Sequence, residues 1–214
     1  MNKKISILYI VILFLLTLIT ITLNLNWLDY TSVILEITCI LLLTKRNFFS
    51  IIIKLISDLF YVYIAYKTKY YGDASFYLFI STPITIISYF SWNKNLDETK
   101  LVKSRSLTIK TKYLLCSLTL IITIFYAYLL KTLGGINTIL DAGSTVSSLF
   151  AYIFMMLRYQ EQWIMWILQY LITIFMYVAV GNFLITFMST FCLLSSIIGY
   201  KNWREKNQIF HAKK

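Results

Sequence analysis

The sequence predicts an all-α integral membrane protein, and three observations carry that expectation. The whole stretch from Gln162 to Tyr200 passes without one charge. The chain is 59% apolar and only 14% charged, where a soluble domain carries roughly 25% charged residues. Its basic residues also gather in alternate connecting segments, as membrane topology requires.

The uncharged stretch fixes the last two spans. As one helix it would reach about 58 Å, roughly twice the ~30 Å hydrocarbon core. It must fold back, and Gly181-Asn182 is the natural turn, because Gly tolerates positive φ and Asn tolerates the left-handed region. The seventh span is therefore Gln162–Val180 and the eighth Phe183–Tyr200. Upstream, Ile5–Leu28 reads as a retained first span, because its apolar run is long for a signal-peptide core and no small-residue cleavage site follows. Tyr30–Thr44, Phe48–Tyr66, Ala74–Trp92, Tyr113–Leu130 and Ala142–Leu157 complete eight spans, or seven if the first run is cleaved or interfacial. The long polar connection is Asn93–Lys112.

Orientation follows from charge. With both ends cytoplasmic, the outer loops hold only Lys67, Lys69 and Lys131, and nearly all other basic residues face inward. Lys54 is left inside a span. The net charge of +11 would suggest nucleic acid in a soluble protein; here the lipid bilayer is the expected partner, with no nucleic acid.

A repeat appears at one constant offset, which pairs Asp29 with Asp141, Ser32 with Ser144 and Arg46 with Arg158. Each unit ends on an aromatic-basic border, Trp92-Asn93-Lys94 and Trp203-Arg204. Two units running in the same direction, each with an odd number of helices, need one linking helix between them. The expected layout is an extra N-terminal helix (1–28), a first three-helix bundle (29–93), a cytoplasmic loop and linker helix (94–140), a second bundle (141–200) and a cytoplasmic tail (201–214). Parallel repeats around a midplane site are a recurring transporter design.

Function then rests on polar groups inside the membrane, each of which costs about 2.5–3.5 kcal/mol if charged and unpaired at the bilayer centre. Lys54 and Asp58 are four apart on one helical face. They either neutralise each other, or Lys54 snorkels inward and leaves Asp58 free in a cavity. Glu36 is either inter-helix glue or a site residue. On the seventh span, Trp163, Trp166, Gln169, Tyr170, Thr173 and Tyr177 form a polar and aromatic stripe. Trp163 suits an interfacial belt, while Trp166 lies a turn deeper. By the repeat, Tyr170 matches Asp58 and Gln169 matches Ser57. An acidic group among aromatic faces suits a planar cationic ligand. Cys39, Cys116 and Cys192 lie in apolar runs without CxxC spacing and read as buried small hydrophobes. No HExxH, metal-spaced acidic pair or Ser/His couple is present, and His211 is the one histidine. Neither catalysis nor a metal or cofactor is expected, and a non-catalytic scaffold subunit is the remote alternative.

In several segments the chain resembles the PnuC family of bacterial nicotinamide riboside and vitamin transporters. These are Asp141-Ala142 with Ser144, Thr145 and Ser148, then Glu161-Gln162-Trp163-Ile164-Met165-Trp166-Ile167, and the closing Gly199-Tyr200-Lys201-Asn202-Trp203-Arg204. Glu36 and Tyr71-Gly72-Asp73-Ala74 extend the similarity to the first unit. The resemblance implies a SWEET-like fold, facilitated diffusion, a small-molecule vitamin as substrate and a trimer. It implies that Trp166 stacks on the substrate. The family usually places Asn four residues later, where this chain has Tyr170, and Gln-Trp where this chain has Tyr152-Ile153. Both departures concern the substrate, with thiamine or riboflavin as alternatives, more than the fold.

Overall fold

The computed structural model describes residues 26–67, 74, 76–134 and 137–212. The Ile5–Leu28 span and the Tyr71-Gly72 turn fall mostly or wholly outside these residues. Among those described, the regular structure is helical, with isolated β-bridges only.

Helix α1 (Trp27–Thr44) opens on Asn26, whose side chain accepts from the Leu28 N–H. It turns into α2 (Phe49–Lys67), and the two pack together. A π-helical turn at Tyr77–Ser81 leads into α3 (Thr82–Asn93). Pro83, which has no N–H to donate, accounts for that turn. The Thr82 N–H reaches back five residues to the Tyr77 carbonyl. Helix α4 (Ile109–Thr132) is capped by Thr108. Then follow α5 (Thr138–Met156), α6 (Gln162–Ala179) and α7 (Phe183–Ala212), the last running well past the expected end at Tyr200. Helices α4 to α6, and α7 as far as Glu205, are long and apolar enough to cross a membrane. Helix α4 packs on α5 and leaves Leu114, Ile121, Ile124 and Phe125 well exposed, a face suited to lipid. Cys116 lies on this helix and is exposed, which corrects its reading as a buried hydrophobe; Cys39 and Cys192 are buried.

The Gly181-Asn182 turn forms as the residues dictate. Gly181 takes φ +72°, and Asn182 caps α7 by accepting from the Ile185 N–H. Corresponding turns in the two repeats also share an uncommon backbone. Arg46 and Arg158, which the repeat pairs, both adopt left-handed φ, 58° and 61°. For a residue with a Cβ this costs roughly 1–2 kcal/mol. Each guanidinium binds backbone in return, Arg46 to the Val102 carbonyl and Arg158 to that of Ser91, both at 3.0 Å. Burial lowers both guanidinium pKa values, and for Arg46 nearby Asp97 opposes the effect.

The connection between α3 and α4 is not a free solvated loop. It pairs as short β-bridges with both arginine turns, Asn47 with Leu101 and Tyr159 with Arg105. Val102 within it is fully buried. The strap thereby ties the two repeats together at one end.

Helix α1 packs on α7, and α3 on α5. The contacts at these two seams correspond. Trp92 of α3 donates its indole N–H to the Met155 carbonyl at 2.8 Å, and Trp203 of α7 donates to the Leu43 carbonyl at 3.0 Å. Leu43 and Met155 keep the offset that pairs Arg46 with Arg158, whereas the two tryptophans are closer in sequence by a single position. The first repeat is thus longer by one position between its carbonyl and its tryptophan. A π turn holds one residue more than the α turn it replaces, which is the size of that step.

Candidate functional site

Every intramembrane charge foreseen in the sequence meets in one cluster. Lys54 Nζ lies 3.1 Å from Glu36 Oε2 and 3.4 Å from Asp58 Oδ1. Tyr152 Oη donates to Asp58 Oδ1 at 3.2 Å, Thr85 Oγ1 to Asp58 Oδ2 at 2.9 Å, and Tyr170 Oη to Glu36 Oε1 at 3.1 Å. Buried carboxylates are tolerable only when paired and hydrogen-bonded, and α1, α2, α3, α5 and α6 each contribute a group. Two carboxylates and one ammonium leave one formal negative charge. Lys54 therefore does not snorkel, and Asp58 is not free: it is fully buried, with both oxygens engaged. Glu36 is the partner of Lys54 that spacing along α2 could not reveal.

Aromatic rings wall this cluster. Trp166 and Tyr170 are stacked, with centroids 5.9 Å apart at 24°, and Tyr152 meets Trp166 edge-on at 5.3 Å. Lys54 Nζ sits 5.1 Å from the Tyr152 ring centroid, within cation–π range. A small cavity of about 10 Å³ is lined by Glu36, Lys54, Trp166 and Tyr170 together with Cys39, Ile40, Leu43 and Met155. That is room for one water at most. Among the described residues the buried Trp166 indole N–H has no partner. The walls come from α1, α2, α5 and α6, so a larger guest requires these helices to move apart.

The sequence matches the nicotinamide mononucleotide transporter family over residues 26–205. The chain belongs to this family. It is 32% identical over 181 residues to the nicotinamide riboside transporter PnuC of Haemophilus influenzae, covering 83% of this chain and 79% of the relative. With the protein of the same name from Neisseria mucosa it shares 30% over 190 residues, 83% and 72% of the two chains. The crystal structure of the vitamin B3 transporter PnuC superposes with a TM-score of 0.81 at 26% identity, covering 97% of this chain and 93% of that one. The chain is thus a multi-pass membrane protein of a transporter family.

Within this family fold the α6 stripe divides. Trp166 and Tyr170 face the cavity. Gln169 donates to Thr173 Oγ1 at 3.0 Å, a bond internal to the helix. The Tyr177 carbonyl accepts from the Asn182 N–H at the turn, away from the cavity. Ser57 is fully buried beside Asp58 in sequence, and its hydroxyl has no partner among the described residues. Trp163 is no belt residue. It is fully buried, its ring centroid 6.0 Å from that of Trp203, over Gly199. A Cβ on Gly199 would fall 2.6 Å from the Trp163 ring, so only glycine leaves room. The sequence reading missed Thr85 and did not count Tyr152 among the site residues. Pro83 with its nearby hydroxyls was the signal for the first, and a tyrosine where the family has Gln was the signal for the second.

Proposed function

We propose that the chain takes up nicotinamide riboside across a bacterial cytoplasmic membrane by facilitated diffusion. One observation carries the reading: an indole with an unpartnered N–H faces a cavity shared with a carboxylate, in a cluster whose formal charge is −1. A planar pyridinium gains stacking and cation–π attraction there, and its ribose and carboxamide offer acceptors for the indole. The names of the relatives support the same substrate. Trp166, Tyr170, Glu36 and Asp58 form the core of the site, with Gln169, Ser57, Thr173 and Trp163 in its surroundings and Tyr177 farther along α6 at the turn. The helices work as two three-helix units, α1 to α3 and α5 to α7, joined by α4, with an extra span before α1, both termini cytoplasmic, and a trimer as the assembly. Rocking of the units at the α1–α7 and α3–α5 seams opens the cavity to either side. Among the described residues the intramembrane charges form one closed cluster rather than a relay across the membrane, which supports transport without proton coupling.

Tyr170, where the family usually has Asn, favours a second reading, thiamine as the cationic heterocycle. Uptake into proteoliposomes tests both. Nicotinamide riboside should equilibrate without being concentrated, whatever proton gradient is imposed. Accumulation against its gradient overturns facilitated diffusion, and uptake of thiamine alone overturns the substrate.

A further inference from the structure

The two carboxylates of the cluster are not equivalent. Asp58 is fully buried and lines no part of the cavity. Thr85 holds one of its oxygens and Tyr152 the other. Glu36 lines the cavity beside Trp166 and Tyr170, and apart from the Tyr170 hydroxyl its partner is the Lys54 ammonium. Lys54 is within ion-pair distance of both. A ring stacked on Trp166 would therefore lie beside Glu36, with Asp58 behind Lys54.

We propose that Lys54 is a tethered cation that holds the permeant's place at Glu36, and that loading moves its ammonium fully onto Asp58, one turn along α2. This rests on the reading of the site as one for a cationic nucleoside. The exchange keeps every buried charge paired: Glu36 passes from Lys54 to the pyridinium, and Lys54 keeps Asp58. A neutral heterocycle offers no such exchange. Releasing Lys54 to it would leave Glu36 buried and unpaired, a heavy penalty. Glu36 is then the residue that selects a positive ring. Asp58 is the positioning residue that receives the displaced lysine, and Thr85 and Tyr152 hold it in place by hydrogen bonds to its two oxygens.

The test uses two probes of nearly the same shape, nicotinamide riboside and its neutral dihydro form, titrated calorimetrically into the purified full chain. Wild type should prefer the cation. Glu36→Gln should weaken cation binding about 10- to 100-fold, the worth of a charged hydrogen-bonded partner, and leave the neutral probe nearly unchanged. This variant retains the Lys54–Asp58 pair, so its fold is protected. Two double variants of equal charge then separate the carboxylates. Lys54→Gln with Asp58→Asn should keep the cation preference, and Lys54→Gln with Glu36→Gln should lose it. An undiminished preference in Glu36→Gln overturns the proposal, even if neither double variant folds. So does a preference kept only by the variant that retains Asp58. If wild type binds neither probe, the nicotinamide riboside reading fails first, and this inference with it.

Discussion

The indole N–H of Trp203 donates to the carbonyl of Leu43 at 3.0 Å, from the far end of the chain. Leu43 is one residue from the end of α1, and its side chain lines the floor of the cavity. Trp92 makes the corresponding bond to Met155, whose side chain also lines that floor. The two tryptophans lie with ring centroids 5.9 Å apart. One pair of crossed hydrogen bonds thus joins α7 to α1 and α3 to α5, at two residues that line the cavity.

Because the bonds correspond, their losses should match. Trp203→Phe and Trp92→Phe each keep an aromatic ring and remove one indole hydrogen bond, while the Leu43 and Met155 carbonyls keep the N–H groups of Arg46 and Arg158, so each should cost about 0.5–1.5 kcal/mol. Thermal unfolding in detergent should show similar drops for both. A drop for one variant alone would mean that the repeats are not mechanically equivalent at this seam.

Gly199 and Trp163 form a lock of a different kind. Gly199→Ala places a methyl where the Trp163 ring already lies, and overpacking of this sort costs about 1–3 kcal/mol. Trp163→Leu in the same chain should recover part of the loss, since it removes the ring the methyl strikes. Additive losses in the double variant would count against the contact.

The strap between α3 and α4 should loosen in acid. Burial pushes the Asp97 carboxyl up, but the Thr99 hydroxyl, the Leu101 and Thr99 N–H groups and Arg46 outweigh it and hold the group below the usual carboxylate range. A carboxylate with a depressed folded pKa contributes stability that is fully present above its unfolded value of about 3.9 and is lost as pH falls through the folded value. Protease accessibility of the strap should therefore rise only below about pH 4. Asp97→Asn should make it accessible at neutral pH and remove that acid transition.

Orientation gives a separate check. Asn137→Cys should react with an impermeant thiol reagent in intact cells, and Lys103→Cys should not. The background should be a chain lacking Cys116, which is exposed. Labelling of Lys103→Cys from outside would reverse the orientation read from the lysines and arginines.

What the sequence disclosed follows the range of the interactions. The Gly181-Asn182 turn was legible because its cause is local: a left-handed residue and a cap. The Lys54–Asp58 pair was legible because i, i+4 is a helical neighbour. The Glu36–Lys54 bond crosses from α1 to α2, and the Tyr152–Asp58 bond crosses from one repeat to the other. Neither follows from periodicity, so the sequence left Lys54 free to snorkel. Trp163 was misplaced for a related reason. A tryptophan near a span's end suits a belt unless a glycine on a neighbouring helix makes room for it, and that glycine, Gly199, lies on α7.

Ring stacking on Trp166 can be tested directly by substitution. Trp166→Ala removes a stacking face and the unpartnered indole N–H, and should weaken nicotinamide riboside binding roughly 5- to 150-fold, the equivalent of about 1–3 kcal/mol. Trp163→Ala lies outside the cavity wall and should act on thermal stability more than on affinity. Tyr170 stacks on Trp166 and holds Glu36, so its two functions separate by substitution. Tyr170→Phe keeps the ring and frees a Glu36 oxygen, which should change the preference for a cationic ring more than overall affinity. Tyr170→Asn removes the ring, keeps a donor and restores the usual family residue, and should widen the site toward nicotinamide riboside at the expense of any other substrate. Competition binding against thiamine and riboflavin reads this directly. An unchanged profile in Tyr170→Asn would mean that the tyrosine only packs, and the permeant would then have to be sought along another face of α6.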